Sequence, residues 1–165
     1  MVINATDKKV WDSLARVMDP EIPVVSIVDL GMVRWIRSLE GGGHCVGLSP
    51  TYTGCPATEH IARLVKEQLL ADLCGPVAVE FVVSPPWTTD WITATGRQQL
   101  SDFGIAPPVG SVSDKRVLFG AVKEVPCPRC GNIHTRRVSA FGSTPCKAHY
   151  TCLSCLEPFD YFKCL

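Results

Sequence analysis

Apolar residues at Val10, Trp11, Leu14, Val17 and Met18 recur every three or four positions, which places them on one stripe of a helix. Thr6 stands where a cap belongs, and Asp19-Pro20-Glu21-Ile22-Pro23 ends the element because proline cannot continue a helix. Val24 to Arg37 is dense in β-branched residues and predicts a strand, with Gly31 as a bulge. Glu40-Gly41-Gly42-Gly43 then turns the chain into a second strand, His44 to Ser49, so the pair predicts a hairpin. The helical period returns from Pro56 to Leu73. There Ile61, Leu64, Val65 and Leu69 share a face, and Glu59, His60, Arg63, Lys66 and Glu67 fall largely off it. Gly75-Pro76 stops this helix, and Val77 to Val83 reads as a third strand. After the Pro85-Pro86-Trp87 turn, Asp90 to Phe103 predicts a last helix with Gly104 as its C-terminal cap. The expected fold class is α+β: a small three-stranded mixed sheet packed with helices.

The pattern changes after about residue 108, where Pro107 to Ser113 has linker composition. We expect an α+β domain over 1–108, a linker over 109–119 and a separate β module over 120–165. Charge agrees with a division. Residues 1–114 hold 8 Lys/Arg and 13 Asp/Glu, and residues 115–165 hold 8 and 3. The whole chain is neutral. No stretch approaches the roughly 20 apolar residues a membrane helix needs, and the first residues carry no secretory pattern. The expectation is a cytoplasmic protein, whose cysteines stay reduced and serve metal or redox chemistry.

Six of the 9 cysteines lie in the last module. Cys127-Pro128-Arg129-Cys130 and Cys152-Leu153-Ser154-Cys155 are two CxxC pairs separated by 21 residues. Two such turns can present four thiolates to one ion, a closed site that suits structural Zn²⁺. Iron is the chemical competitor for the same sulfurs. A module this small buries too little apolar surface to fold without a staple, and metal binding at such a site is worth on the order of 10–16 kcal/mol. Cys146, Cys164 and His149 are candidate substitutes for a ligand. Thr135 to Phe141 has strand composition.

Thr51-Tyr52-Thr53-Gly54-Cys55-Pro56 joins a strand end to a helix start. With Pro56 at the first helical position, Cys55 falls at the N-cap, where the helix dipole and free backbone N–H groups favour a negative charge. Gly54 allows close approach, and Thr51 and Thr53 offer hydroxyls. The competing reading is a buried structural cysteine. Asp19 and Glu21, two carboxylates near a turn, either cap a helix or bind a cation; Cys45 and Cys74 read as structural, and His44 and His60 as solvated. Trp87 and Trp91 either pack in the core or face a partner.

Asp19-Pro20-Glu21-Ile22-Pro23, Val28-Asp29-Leu30-Gly31-Met32-Val33 and the Cys55 segment resemble SufT-type iron–sulfur assembly domains. Pro85-Pro86-Trp87-Thr88-Thr89-Asp90-Trp91-Ile92, the CxxC tail, the stretch from Phe141 to Lys147 and the stretch from Glu157 to Cys164 narrow this resemblance to the PaaD family. That family belongs to the phenylacetyl-CoA epoxidase system of aerobic phenylacetate catabolism. The resemblance implies an accessory, non-catalytic maturation factor with epoxidase oxygenase or reductase subunits as partners. It further implies iron or Fe–S transfer at Cys55, with Asp19, Thr51, Thr53 and Gly54 around it, and a homodimer as one arrangement. The bare assembly domain usually lacks the ribbon. Two readings compete. Arg129, Arg136, Arg137 and Lys147 could form a basic nucleic-acid-binding face, whose affinity would fall steeply with salt. An oxygenase component or thiol oxidoreductase is the other, but the chain has no Glu-x-x-His repeat and no second cysteine near Cys55 in sequence.

Overall fold

In the computed structural model, residues 5–52, 54–109 and 124–163 are described. The chain divides into two compact units, 1–87 and 88–165.

The first unit holds helix α1 (Ala5–Leu14), strands β1 (Val33–Ser38) and β2 (His44–Leu48), helix α2 (Thr58–Asp72) and strand β3 (Val77–Phe81). The sheet order is β1-β2-β3, with β1 antiparallel and β3 parallel to β2. A parallel neighbour needs a crossover, and α2 supplies it. Ile61, Val65 and Leu69 of α2 are buried, as are Val46 and Leu48 of β2 and Val10 and Leu14 of α1.

The expected strand over 24–37 forms only from Val33. Residues before it wind through tight turns: Leu30 N–H bonds to Ser26 O, Gly31 N–H to Val28 O and Met32 N–H to Ile27 O. The Ser26 hydroxyl accepts the Asp29 N–H and donates to its carboxylate. Gly31 takes φ 69°, so it closes a turn and does not bulge a strand. Val25, Ile27, Leu30 and Met32 are all buried. Burial of these side chains overrides their β propensity.

Asp72, at the end of α2, holds α1 in place. Its Oδ2 accepts hydrogen bonds from the Ser13 hydroxyl, the Arg16 guanidinium and the Gln68 amide. The Ser13 bond, followed by Gln68 and Arg16, holds its carboxyl below the usual range. A depressed carboxylate pKa adds stability that is complete above the unfolded value of about 3.9 and is lost as pH falls through the folded value. In urea melts, wild type will therefore exceed Asp72→Asn above about pH 4, and the difference will shrink at lower pH. A pH-independent gap would contradict the assignment.

The second unit opens with a 3-10 turn, Thr89–Trp91, and then α3 (Ala94–Asp102). The single helix expected over 90–103 is thus divided, because the Thr93 hydroxyl caps α3 by accepting the Gly96 N–H at 2.9 Å. Gly104, with φ 92°, ends it as expected. A four-stranded sheet follows in the order β4-β7-β6-β5, built from β4 (Ile105–Ala106), β5 (Thr135–Ser139), β6 (Lys147–Cys152) and β7 (Pro158–Phe162). Strand β4 pairs in parallel with β7, so residues before the expected linker join the ribbon sheet. Its core contains Ala106, Val125, Cys127, Ala148, Cys152, Phe159 and Tyr161. Most of the expected linker, from residue 110, lies outside the described residues.

Candidate metal centre and cysteine loop

Two knuckles build the metal centre. In the first, Cys127 N–H donates to Asn132 O at 2.9 Å and Gly131 N–H to Cys127 O at 2.8 Å. In the second, Cys152 N–H donates to Glu157 O at 3.0 Å. Each CxxC pair is followed by a residue in the left-handed region, Gly131 at φ 73° and Leu156 at φ 63°. Strand β5 pairs Thr135 with Cys152 of β6, which brings the second knuckle to the first.

The four sulfurs of Cys127, Cys130, Cys152 and Cys155 lie within 4.8 Å of one another. Cys127 to Cys155 is 3.7 Å and Cys130 to Cys152 is 3.6 Å. A tetrahedron with Zn–S bonds of about 2.3 Å has edges of about 3.8 Å. The donor set and its spacing therefore fit one Zn²⁺, which bound there would hold the two knuckles together. Four thiolates complete the coordination, so the centre is structural. The backbone N–H of Cys155, with that of Ser154, brings the Cys152 thiol down to about 6. At Cys155 the largest single influence, a backbone hydrogen bond from Glu157, lowers the thiol. Burial and the neighbouring sulfurs outweigh it and push the group up to about 12. That crowding of sulfurs is the repulsion a dication relieves.

Cys146 is buried at the far end of β6, bonded to the Thr144 hydroxyl at 3.0 Å. Five residues lie between it and Cys152, a span of about 20 Å at the usual strand rise. It does not substitute for a ligand, and neither does His149, which faces Asp160 at 3.5 Å. Cys164 lies outside the described residues. Lys147 is buried, with its ammonium 3.6 Å from Asp160. It is therefore removed from the basic face expected for nucleic acid, which keeps Arg129, Arg136 and Arg137.

Cys55 lies in the loop between β2 and α2. Such loops sit at the carboxyl end of a parallel strand, where α/β units carry binding residues. The expected N-cap position is corrected: α2 starts at Thr58, with Ala57 as the cap residue. Cys55 sits one turn earlier. Its carbonyl accepts the Thr58 N–H at 3.2 Å and the Thr58 hydroxyl at 2.8 Å. Pro56 and Ala57 form this preliminary turn, so the dipole argument made for Cys55 at the helix end does not apply as stated. The thiol remains partly exposed. Gly54 takes φ 87°, and a Cβ there would meet nothing within 4 Å, so there is open space at the residue before the cysteine. Thr51 is buried, and Thr53 lies outside the described residues.

Asp19 accepts the N–H groups of Glu21 and Ile22 on one oxygen, at 2.8 and 2.9 Å, so it caps a turn and not the helix expected of it. Among the described residues, the four ribbon cysteines are the group of three or more metal-ligating side chains brought together. His44 is buried in β2, contrary to the expected solvated turn. Cys45 is buried beside it, and burial, followed by the nearby Glu80 carboxylate, pushes its thiol up. Cys74 is exposed. Trp87 packs in the core and donates its indole N–H to Leu30 O at 2.9 Å.

Residues 7–81, which include Cys55, match the family described as iron-sulfur cluster assembly protein, and residues 111–163 match the PaaD zinc beta ribbon domain. A protein of Escherichia coli strain K12, named as one of the subunits of 1,2-phenylacetyl-CoA epoxidase, is 47% identical over 157 residues, covering 95% of this chain and 92% of that protein. The chain belongs to the PaaD family. Its PaaD-type ribbon extends the assembly domain seen in shorter relatives. The Fe-S protein maturation auxiliary factor YitW of Bacillus subtilis strain 168 is 36% identical over 89 residues, 53% of this chain and 85% of that protein. A crystal structure of a domain of unknown function from Bacillus anthracis, 28% identical, covers 58% of this chain and 92% of its own length with a TM-score of 0.53. Among the described residues, no helix is long and apolar enough to cross a membrane.

Proposed function

We propose that this chain is a cytoplasmic maturation factor for phenylacetyl-CoA epoxidase. It captures iron or an Fe–S cluster at Cys55 and passes it to an oxygenase or reductase subunit. The observation that carries this reading is the partly exposed Cys55 in an open loop after β2, within the segment matching iron–sulfur assembly proteins. A soft thiolate binds such cargo. One sulfur alone holds it loosely enough to release, and two copies of the chain could supply a pair of sulfurs. The four ribbon sulfurs are committed to holding a fold, which leaves them unsuited to transfer.

The relatives' names point the same way: one is named as a subunit of the epoxidase and another as an Fe-S protein maturation auxiliary factor. In this reading the chain performs no turnover of its own. A strain carrying Cys55→Ser will accumulate folded protein, while its epoxidase subunits will contain less iron or cluster than those of wild type. Metal analysis of the purified epoxidase measures this. Full occupancy in that strain would refute the reading.

A further inference from the structure

The two knuckles take the same left-handed turn after their second cysteine, but with different residues there. Gly131 follows Cys130 at φ 73°, and Leu156 follows Cys155 at φ 63°. Glycine takes this conformation freely, whereas leucine pays in steric strain between its Cβ and the backbone. Leu156 offsets none of that by burial, since 73% of it is exposed. Backbone strain of this kind persists where surrounding structure holds it and often marks a functional contact. Two more aliphatic residues stand exposed at the same end of the sheet, Leu153 and Ile133. Leu153 N–H donates to His134 O at 2.8 Å, which holds the second knuckle beside the residue that follows Ile133.

Arg129 lies in the first knuckle, and Arg136 of β5 pairs with Thr151, the residue before the second. Arg129 and Arg136 are exposed, and Glu157 answers only the first, at 3.8 Å. Four thiolates on one Zn²⁺ carry a formal charge of −2, but that charge is central and shared with backbone N–H donors, whereas the guanidinium groups project at the rim. An apolar centre with an arginine rim is the composition of a protein-binding surface. A symmetric second copy would bring the same arginine-rich surface to both sides, with Glu157, already 3.8 Å from Arg129, as its one carboxylate among the described residues.

We propose that Leu156, with Leu153 and Ile133, is the anchor by which the ribbon docks on the client subunit, in an apolar notch rimmed by carboxylates. This rests on the maturation reading and names the partner surface for it. The test uses the full zinc-loaded chain and purified epoxidase oxygenase and reductase subunits. A photo-crosslinking amino acid at position 156 will attach to one of those subunits. Leu156→Gly will weaken that affinity about tenfold or more, the effect of losing a central anchor. Its melting temperature will stay equal or rise, and one zinc per chain will be kept, because glycine relieves the strain. Leu153→Ser will weaken binding in the same direction, and Arg136→Glu will weaken it further at low salt. Phe141→Ser, an exposed residue beyond β5, will bind as wild type. Unchanged affinity in Leu156→Gly, or a crosslink only between copies of this chain, overturns the docking proposal while client maturation stands. Failure of the wild-type chain to bind either of them overturns both.

Discussion

Cys152→Ala will strip the second unit of its zinc and unfold the ribbon. Cys152 is fully buried in the ribbon core, receives two backbone N–H groups and lies 3.6 Å from Cys130. Removing it leaves a three-sulfur site and two donors aimed at a methyl group. The metal contributes on the order of 10–16 kcal/mol, and a whole domain is stable by about 5–15 kcal/mol. The remaining core, led by Phe159, Tyr161 and Val125, cannot replace that contribution. Elemental analysis will show zinc falling from about one per chain to near zero. Limited proteolysis will cut between 124 and 163, while the first unit, with its own buried core, resists. Retention of stoichiometric zinc and of protease resistance would contradict the four-sulfur centre.

Gly43→Ala will damage the first unit more than its size suggests. A Cβ at Gly43 would come within 2.1 Å of Pro76 O and 2.6 Å of the Pro76 ring. The neighbouring His44 N–H donates to that same carbonyl at 2.9 Å, the bond that starts the parallel pairing of β2 with β3. Neither obstacle is a flexible side-chain tip, so the strands must part. The expected loss is about 1–3 kcal/mol, as for other insertions into packed structure, read as a lower urea midpoint. Gly41→Ala is the informative comparison. No atom lies within 4 Å of a Cβ at Gly41, and its cost comes from φ 85° alone. Equal effects of the two substitutions would show that the close approach of β2 and β3 is not limiting.

Local chemistry announces some elements and hides others. Helix α2 is readable because Ile61, Val65 and Leu69 keep helical spacing, and all three are buried. The four ribbon cysteines are readable because CxxC spacing encodes the knuckle itself. The segment from Val24 to Met32 is not, since β-branched residues serve buried turns as well as strands, and only the surrounding core selects between them. The N-cap expected at Cys55 fails because Pro56 fits equally at a helix start and in the turn that precedes one. Lys147 reads as a surface cation because its partner, Asp160, is 13 residues away and meets it only through the pairing of β6 with β7. The strand β4 is two residues long and carries no pattern at all. Leu156 gives no sign in sequence of its left-handed backbone, although alignment of the two knuckles places it opposite Gly131.

The central claim is a division between sulfurs that hold and one sulfur that hands over. It is tested most directly by following transfer from purified chain to apo client. Wild-type chain and Cys55→Ser, each carrying zinc in the ribbon, are loaded with iron and sulfide and mixed with the apo reductase subunit while visible absorption reports cluster formation. The account predicts rapid transfer from wild type, none above the protein-free rate from Cys55→Ser, and unchanged zinc in both. Transfer from Cys55→Ser at the wild-type rate would contradict it.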